Sequence, residues 1–207
     1  GNGLDGAKGR PMIPIPMLAA VPGWGKWLAA AVLAAALYGA GFVRGIERKG
    51  LLLAGKRVLV SGSGGVGSAI AASLAAAGVA EMALFDAFPA SAEALAGRLA
   101  EHYPALVVRT GSNDPAGFDL VVNATPLGMK EGDPLPFDVS RIAPETFVGE
   151  VVMKQAITPL LAAAQAKGCR IQVGTDMLFE MIPAYLEFFG FGTATADELR
   201  AVAQISY

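Results

Sequence analysis

A short glycine-rich segment is the first feature of the sequence that could do chemistry. Glycines 62, 64 and 67 have the spacing Gly-x-Gly-x-x-Gly and stand between an apolar run and an Ala-rich stretch. The first would permit a tight turn, the second would let backbone approach a diphosphate, and the third would let a helix pack on a strand. The spacing predicts a dinucleotide site formed by Gly62, Ser63, Gly64, Gly65, Val66 and Gly67. A glycine-rich turn without a ligand is the alternative, since the chain has 26 glycines.

An acidic residue stands at the distance at which this fingerprint expects one. Asp86 follows the apolar run 81–85, and residues 87–91 include no Arg or Lys. A carboxylate there can accept hydrogen bonds from the ribose hydroxyls of NAD and would repel the 2′-phosphate of NADP. The sequence therefore favours NAD over NADP. A solvated aspartate in a turn is the alternative.

The elements that would position these residues alternate between strand-like runs and helical stretches. Strands are predicted at 57–61, 81–85, 105–109, 120–123, 146–152 and 170–173. Helices are predicted at 65–77, at about 90–102, from Pro159, at 177–189, and after a capping box at Thr195 and Glu198. Such alternation predicts an α/β fold, a doubly wound parallel sheet of the Rossmann type.

Composition excludes several classes of protein. Hydrophobic residues make up 54% of the 207 positions and charged residues 16%, which excludes a disordered chain. A net charge of −2 provides no positive field for nucleic acid. The single cysteine, Cys169, and the single histidine, His102, exclude a disulfide framework and an ordinary zinc site, and we expect no bound metal. One thiol fits a reducing compartment, and we expect a cytoplasmic protein.

Residues 27–43 form an almost wholly apolar, Ala-rich run. Ala and Leu favour a helix, but a membrane span usually needs about 20 apolar residues, and this run is shorter. We expect a buried helix, or a helix lacking its packing partner, rather than a membrane anchor. An uncovered apolar face on such a helix would favour self-association into a homo-oligomer.

Four later segments together resemble the shikimate dehydrogenase family. They are Asn123-Ala-Thr-Pro-Leu-Gly-Met129, Thr158-Pro-Leu-Leu161, Gly174-Thr-Asp-Met-Leu178 and, before the glycine segment, Gly41-Phe-Val-Arg-Gly45. The resemblance covers about residues 39–207, in the family's order. It implies a Rossmann domain and the reversible oxidation of shikimate or quinate, small polyol acids, with NAD(P).

The resemblance also implies roles for individual residues. Asn123 and Thr125 would lie beside the nicotinamide half of the cofactor, and Val151 and Gly174 would contact it. Met153 is a candidate substrate residue, although methionines are also common in cores.

The sequence departs from the family where the catalytic groups are expected. The family's catalytic Lys and Asp would stand at Leu18 and Tyr38, and Met181 replaces a substrate-binding Gln. Abstracting a hydroxyl proton needs a base, so the catalytic residues are unknown. The family's N-terminal substrate domain has roughly a hundred residues, whereas here residues 1–38 stand in its place, as a remnant or rearranged segment before a Rossmann domain at 39–207.

Three hypotheses remain. The first is an oxidoreductase of the shikimate dehydrogenase type. The second is a catalytically inactive NAD-binding module, or a truncated product without a substrate domain. The third is a membrane anchor at 27–43. The retained nicotinamide-side motifs favour the first, and the missing Lys and Asp favour the second.

Overall fold

A computed structural model describes residues 37–188 and 190–205. Within them, six strands form one parallel sheet in the order β3-β2-β1-β4-β5-β6. The strands are β1 (Arg57–Ser61), β2 (Glu81–Phe85), β3 (Val107–Thr110), β4 (Leu120–Asn123), β5 (Phe147–Glu150) and β6 (Ile171–Gln172). This is the doubly wound sheet that the sequence predicts, and the Rossmann-type fold class is confirmed.

Helices cover both faces of the sheet. They are α1 (37–48), α2 (Gly65–Ala76), α3 (Pro89–His102), α4 (Pro159–Ala166), α5 (Gly174–Phe188) and α6 (Ala196–Val202). Alternate strand residues face opposite sides, so Val58 and Val60 pack with α1, α2, α3 and α5, whereas Leu59 packs with α4 and the 137–142 segment. Burial on both faces explains why the strands are runs of Val and Leu.

Local signals account for the starts of several helices. The side chain of Thr158 caps α4 by accepting from the Leu161 N–H at 3.3 Å, and Pro159 takes the first helical position. The capping box predicted at Thr195 and Glu198 is confirmed at the start of α6.

Helix α1 lies unusually close to its neighbours because it is rich in glycine. A Cβ on Gly39 would lie 2.2 Å from the Ala69 carbonyl oxygen of α2, and one on Gly41 would lie 2.9 Å from the Met177 oxygen of α5. Phe42 is fully buried against Gly149 of β5, which has no room for a side chain. The Gly-x-Gly-Phe segment thus fits α1 between two helices and the sheet.

Some element boundaries differ from those the sequence predicts. Strand β5 ends at Glu150 rather than at 152, because the first residue of α5, Gly174, lies against the backbone of Val151 and Val152. Helix α5 starts at Gly174 rather than at 177, three residues before its first buried apolar side chain. Strand β3 is shifted by one or two residues, to Val107–Thr110.

Predictions about residues 1–36, including most of the apolar 27–43 run and the position of Leu18, lie outside the described residues. Only 37 and 38 of the predicted 1–38 segment are described, and that division of the chain stays a prediction. In the described part of the chain, none of the helices has the length and apolar character that a membrane crossing requires.

Candidate functional site

The site lies where the order of the sheet reverses. Strands β1 and β4 are neighbours there, and the chain leaves them in opposite directions, toward β2 and toward β5. Parallel α/β sheets bind ligands in the crevice beyond the carboxyl ends of such strands. Pairing aligns Ser61, Asn123 and Glu150 in a row across these ends. Each of these polar side chains ends its strand, and of the three the sequence analysis identified only Asn123 as a site residue.

The glycine loop, residues 62–67, leads from β1 into α2. Gly62 has a φ of +101°, which side chains rarely adopt, and a Cβ there would lie 2.6 Å from the Ala124 carbonyl oxygen. A Cβ on Gly67 would lie 1.9 Å from the Gly62 carbonyl oxygen. These two glycines are therefore needed by the turn itself and by the contact of helix with strand.

Gly64 and Gly65 differ from these two, because a Cβ on either would meet no atom of the described residues within 4 Å. Gly64 precedes the 12-residue helix α2, whose first turn has no acidic residue and whose start has no side-chain cap. The first amides of α2 have no acceptor among the described residues, and they lie at the positive end of the helix dipole. The Ser63 hydroxyl is only 7% exposed and has no hydrogen-bond partner within the described residues. An open backbone, free amides and an unpartnered hydroxyl together make a cradle for an anion.

Asp86 connects β2 to the glycine loop. One carboxylate oxygen accepts from the Ser63 N–H at 2.7 Å, and the other accepts from the Phe88 N–H at 2.9 Å. Each oxygen keeps a free lone pair that could accept from a hydroxyl. A pocket opens on its far side, lined by Phe85, Asp86, Pro89, Ala92, Glu93, Thr110 and Gly111. The anion cradle, the carboxylate and the pocket thus lie in sequence along the ends of β1, β2 and β3.

The amide loop, residues 123–128, leaves β4 on the other side of the crevice. The Asn123 amide nitrogen donates to the Leu127 oxygen at 3.0 Å and to a Glu150 carboxyl oxygen at 3.1 Å. Its amide oxygen accepts from the N–H and hydroxyl of Thr125, at 3.0 and 2.6 Å. Asn123 is fully buried, and these four bonds use all of its capacity. Half-buried Thr125 is therefore the polar side chain of this loop that a ligand can reach directly.

Glu150 is a member of this site that sequence reasoning missed. Its side chain is fully buried, one oxygen accepts from Asn123, and the other accepts from the hydroxyl of Thr158. Burial raises the pKa of this carboxyl, although both hydrogen bonds oppose that shift. The available signal was an acidic residue ending the apolar run Phe147-Val-Gly-Glu150, next to the strand that ends in Asn123.

The other predicted site residues occupy two places. Val151 donates its N–H to the Asn123 oxygen at 3.2 Å, and a Cβ on Gly174 would lie 2.3 Å from the Val152 oxygen, so both border the amide-loop side. Met153 is half-buried in the segment that follows β5. Met181 is 7% exposed and packs with Gly41 of α1 in the core.

Tyr38, which the resemblance aligns with the family's catalytic Asp, lies half-buried on α1 and packs against the same core cluster as Tyr185 of α5. Burial raises the pKa of Tyr185, and Tyr38 adds to that rise. Within the described residues no Lys or Arg forms an ion pair with a residue of the glycine loop or the amide loop.

Comparisons with known proteins agree with this geometry. No family model matches the chain. It is 41% identical over 149 residues to shikimate dehydrogenase (NADP(+)) of Moorella thermoacetica, covering 68% of this chain and 50% of the relative. It is 40% identical over 159 residues to quinate/shikimate dehydrogenase (NAD(+)) of Corynebacterium efficiens, covering 72% and 55%. The chain thus spans about half the length of these curated relatives.

A solved structure shows the same likeness in three dimensions. Shikimate 5-dehydrogenase of Listeria monocytogenes, in complex with shikimate and NAD, superposes with a TM-score of 0.73 at 26% identity, covering 80% of this chain and 62% of that one. Such matches cover the C-terminal portion of this chain. Over that portion, the chain belongs to the shikimate dehydrogenase family.

Proposed function

We propose that this chain binds a nicotinamide dinucleotide and serves an oxidoreductase of the shikimate dehydrogenase type, which transfers hydride between NAD(P) and a small polyol acid such as shikimate or quinate. The observation that carries the proposal is the cradle at the start of α2. Gly64 and Gly65 leave open space there, and the buried Ser63 hydroxyl has no partner in the described part of the chain. Buried polar groups are rarely left unpaired without a reason, and a diphosphate oxygen would supply the missing partner.

The residues present fit the dinucleotide along its length. The glycine loop would hold the diphosphate through the amides of Gly64, Gly65 and Val66, and Asp86 would accept from the ribose hydroxyls. The pocket beyond Asp86 would take the adenine. When bound, the cofactor supplies the hydride acceptor or donor. The chain's own contribution is to bind it, orient it and exclude water from the crevice.

We propose NAD rather than NADP as the preferred form. The Asp86 carboxylate lies beside the loop, and residues 87–91 provide no cation to neutralise a 2′-phosphate. Replacing Asp86→Asn would keep the shape of the side chain and remove the repelling charge. We expect weaker NAD binding and a NAD-to-NADP affinity ratio that falls by about tenfold, measured by calorimetry with both cofactors. An unchanged ratio would contradict the assignment to Asp86.

On the amide-loop side we propose that Thr125, Val151 and Gly174 border the nicotinamide half, with Asn123 holding the loop from below. Met153, at the end of the same crevice, is a candidate for substrate contact. Met181 packs in the core with α1, so its part in holding substrate would be indirect. We further propose a cytoplasmic protein without a nucleic-acid partner, in which residues 39–207 form the Rossmann domain and copies of the chain associate as a homo-oligomer.

A catalytically inactive dinucleotide-binding module is the second candidate. It is favoured by Tyr38, which the resemblance aligns with the family's catalytic Asp. Two measurements separate the candidates: calorimetry with NAD and ADP-ribose, and NAD reduction with shikimate and quinate at high protein concentration. Binding with turnover supports the enzyme, and binding without turnover supports the module. Absence of binding to either nucleotide would contradict both.

A further inference from the structure

Glu150 is a buried carboxyl group, and the fold does not otherwise explain why the free-energy cost of burying it is tolerated. It ends β5 directly opposite Asn123 in the register of the sheet, with no exposed surface. Within the described residues it has no cationic partner, and its two contacts are an amide and a hydroxyl. Removing a carboxylate from water without a countercharge is expensive, and a glutamine or an apolar residue would avoid that cost. Such groups occur preferentially at functional sites.

The contact with Glu150 reinforces the orientation of the Asn123 amide that the Leu127 carbonyl and the Thr125 N–H also require. An ionised carboxylate only accepts hydrogen bonds, so the nitrogen end of the Asn123 amide must point at it. The oxygen end must then point at Thr125, where it accepts from both the N–H and the hydroxyl. The Thr125 hydroxyl in turn accepts from the Leu127 N–H at 3.1 Å. The buried carboxyl group of Glu150 thus joins a series of hydrogen bonds that ends on the reachable face of the amide loop.

The backbone of the loop is shaped around the same group. Gly128 has a φ of +98°, and a Cβ there would lie 3.3 Å from a Glu150 carboxyl oxygen. On the other side, the Thr158 hydroxyl joins Glu150 to the start of α4. Glu150 therefore connects the amide loop, β5 and α4 at one point.

We infer that Glu150 is a positioning residue for the nicotinamide end of the dinucleotide site: it orients the Asn123 amide, which holds Thr125 and the amide loop in the geometry that borders the ligand. The inference rests on the proposed function, because it assigns a role within that site. A glutamine at this position would keep the shape, but it could present its amide nitrogen to the Asn123 nitrogen, and two donors facing each other would weaken the support that this residue gives to Asn123.

The test uses the full chain and two probes that differ only at the nicotinamide end. ADP-ribose occupies the glycine-loop side alone, whereas NADH also reports on the nicotinamide through its fluorescence. For Glu150→Gln we expect NADH affinity to fall about fivefold, with an emission closer to that of free NADH, while ADP-ribose affinity is retained. Thr158→Val, which removes the other hydrogen bond to Glu150, should shift the emission in the same direction. It provides the test if the glutamine variant does not fold.

The matched control is Glu145→Gln. Glu145 is exposed two residues before the start of β5, at the end of the strand opposite Glu150, so the change removes an acidic group away from the crevice and should leave both probes as in the wild type. Equal weakening of NADH and ADP-ribose in the Glu150 and Thr158 variants would show a merely structural role and overturn the inference. The inference would also be overturned if NADH bound to the wild type had the same emission as free NADH. If the wild type binds no ADP-ribose, the proposed function itself fails, and this result can be told apart from failure of the inference about Glu150.

Discussion

Two loops border the same crevice, and they are built in opposite ways. The glycine loop leaves its amides open at Gly64 and Gly65 and leaves the Ser63 hydroxyl without a partner in the described structure. The amide loop uses every hydrogen-bonding position of Asn123 within the protein and buries an acid beneath it. Unused hydrogen-bonding capacity identifies the side that receives a ligand's charge, whereas fully used capacity identifies the side that holds a shape.

The glycines of the glycine loop fall into two groups. Gly62 and Gly67 are required by the protein's own backbone, since a side chain at either would overlap the chain. Gly64 and Gly65 are not required by any contact within the described residues. Within one short motif, the fold therefore explains two glycines and leaves open space at the other two, where we propose that the ligand binds.

The largest expected effect comes from Gly67→Ala. The added methyl group would lie 1.9 Å from the Gly62 carbonyl oxygen, which is backbone and cannot move aside without displacing α2 from β1. We expect the free energy of unfolding to fall by about 3 kcal/mol, with loss of dinucleotide binding. Urea unfolding followed by circular dichroism measures this. A variant as stable as the wild type would show that the helix does not depend on this contact.

Gly64→Ala should affect binding rather than folding. Its methyl group would meet no protein atom, so stability should change by less than about 1 kcal/mol. Affinity for NAD or ADP-ribose should fall by about tenfold, because the methyl group would keep the diphosphate from the amides. Calorimetry measures the affinity. Gly97→Ala is the matched control: Gly97 lies exposed on α3 in open space, and its replacement should leave affinity unchanged. Unchanged affinity in Gly64→Ala would count against a ligand at this loop.

The difference between the loops also explains what the sequence could predict. The glycine loop is local, because six consecutive residues contain the turn, the close contact of Gly67 with Gly62 and the two open positions. The spacing of the glycines was therefore sufficient to predict the shape of this loop. The position of Asp86 could equally be predicted from the sequence, because this residue directly follows its strand. The amide loop depends on residues far apart in the chain, since strand pairing brings Asn123 to Glu150, and the start of α4 brings Thr158 to Glu150. An acid ending a strand commonly faces water, and the sequence of β5 does not reveal the loop that covers it.

The same limit applies to Met181 and to α1. The family's substrate-binding position at 181 suggested a site residue, but its side chain packs toward α1, where Gly41 allows close approach. The apolar side chain of a methionine fits both a substrate site and a packed core. Its location depends on how α1 crosses α5, which is a tertiary contact that no local pattern encodes.

The smallest expected effect is a pH dependence of stability, which tests whether the amide-loop side is sealed. Burial raises the folded-state pKa of Glu150 above its unfolded value. A raised carboxyl pKa contributes stability that is present below the unfolded pKa and is lost as pH rises through the folded pKa. The wild type should therefore lose stability relative to Glu150→Gln between mildly acidic and neutral pH, because the glutamine does not titrate.

Asp119 supplies the opposite slope at the other end of the sheet. Burial acts to raise its pKa, but its bonds with the Arg57 N–H and the Lys56 ammonium, each 2.9 Å long, lower it overall. Its contribution is present at neutral pH and is lost as pH falls through the folded pKa, so Asp119→Asn should differ most from the wild type at neutral pH. Urea titrations across pH measure both differences. Parallel curves for the wild type and Glu150→Gln would show that water reaches Glu150, and the amide loop would then be open like the glycine loop.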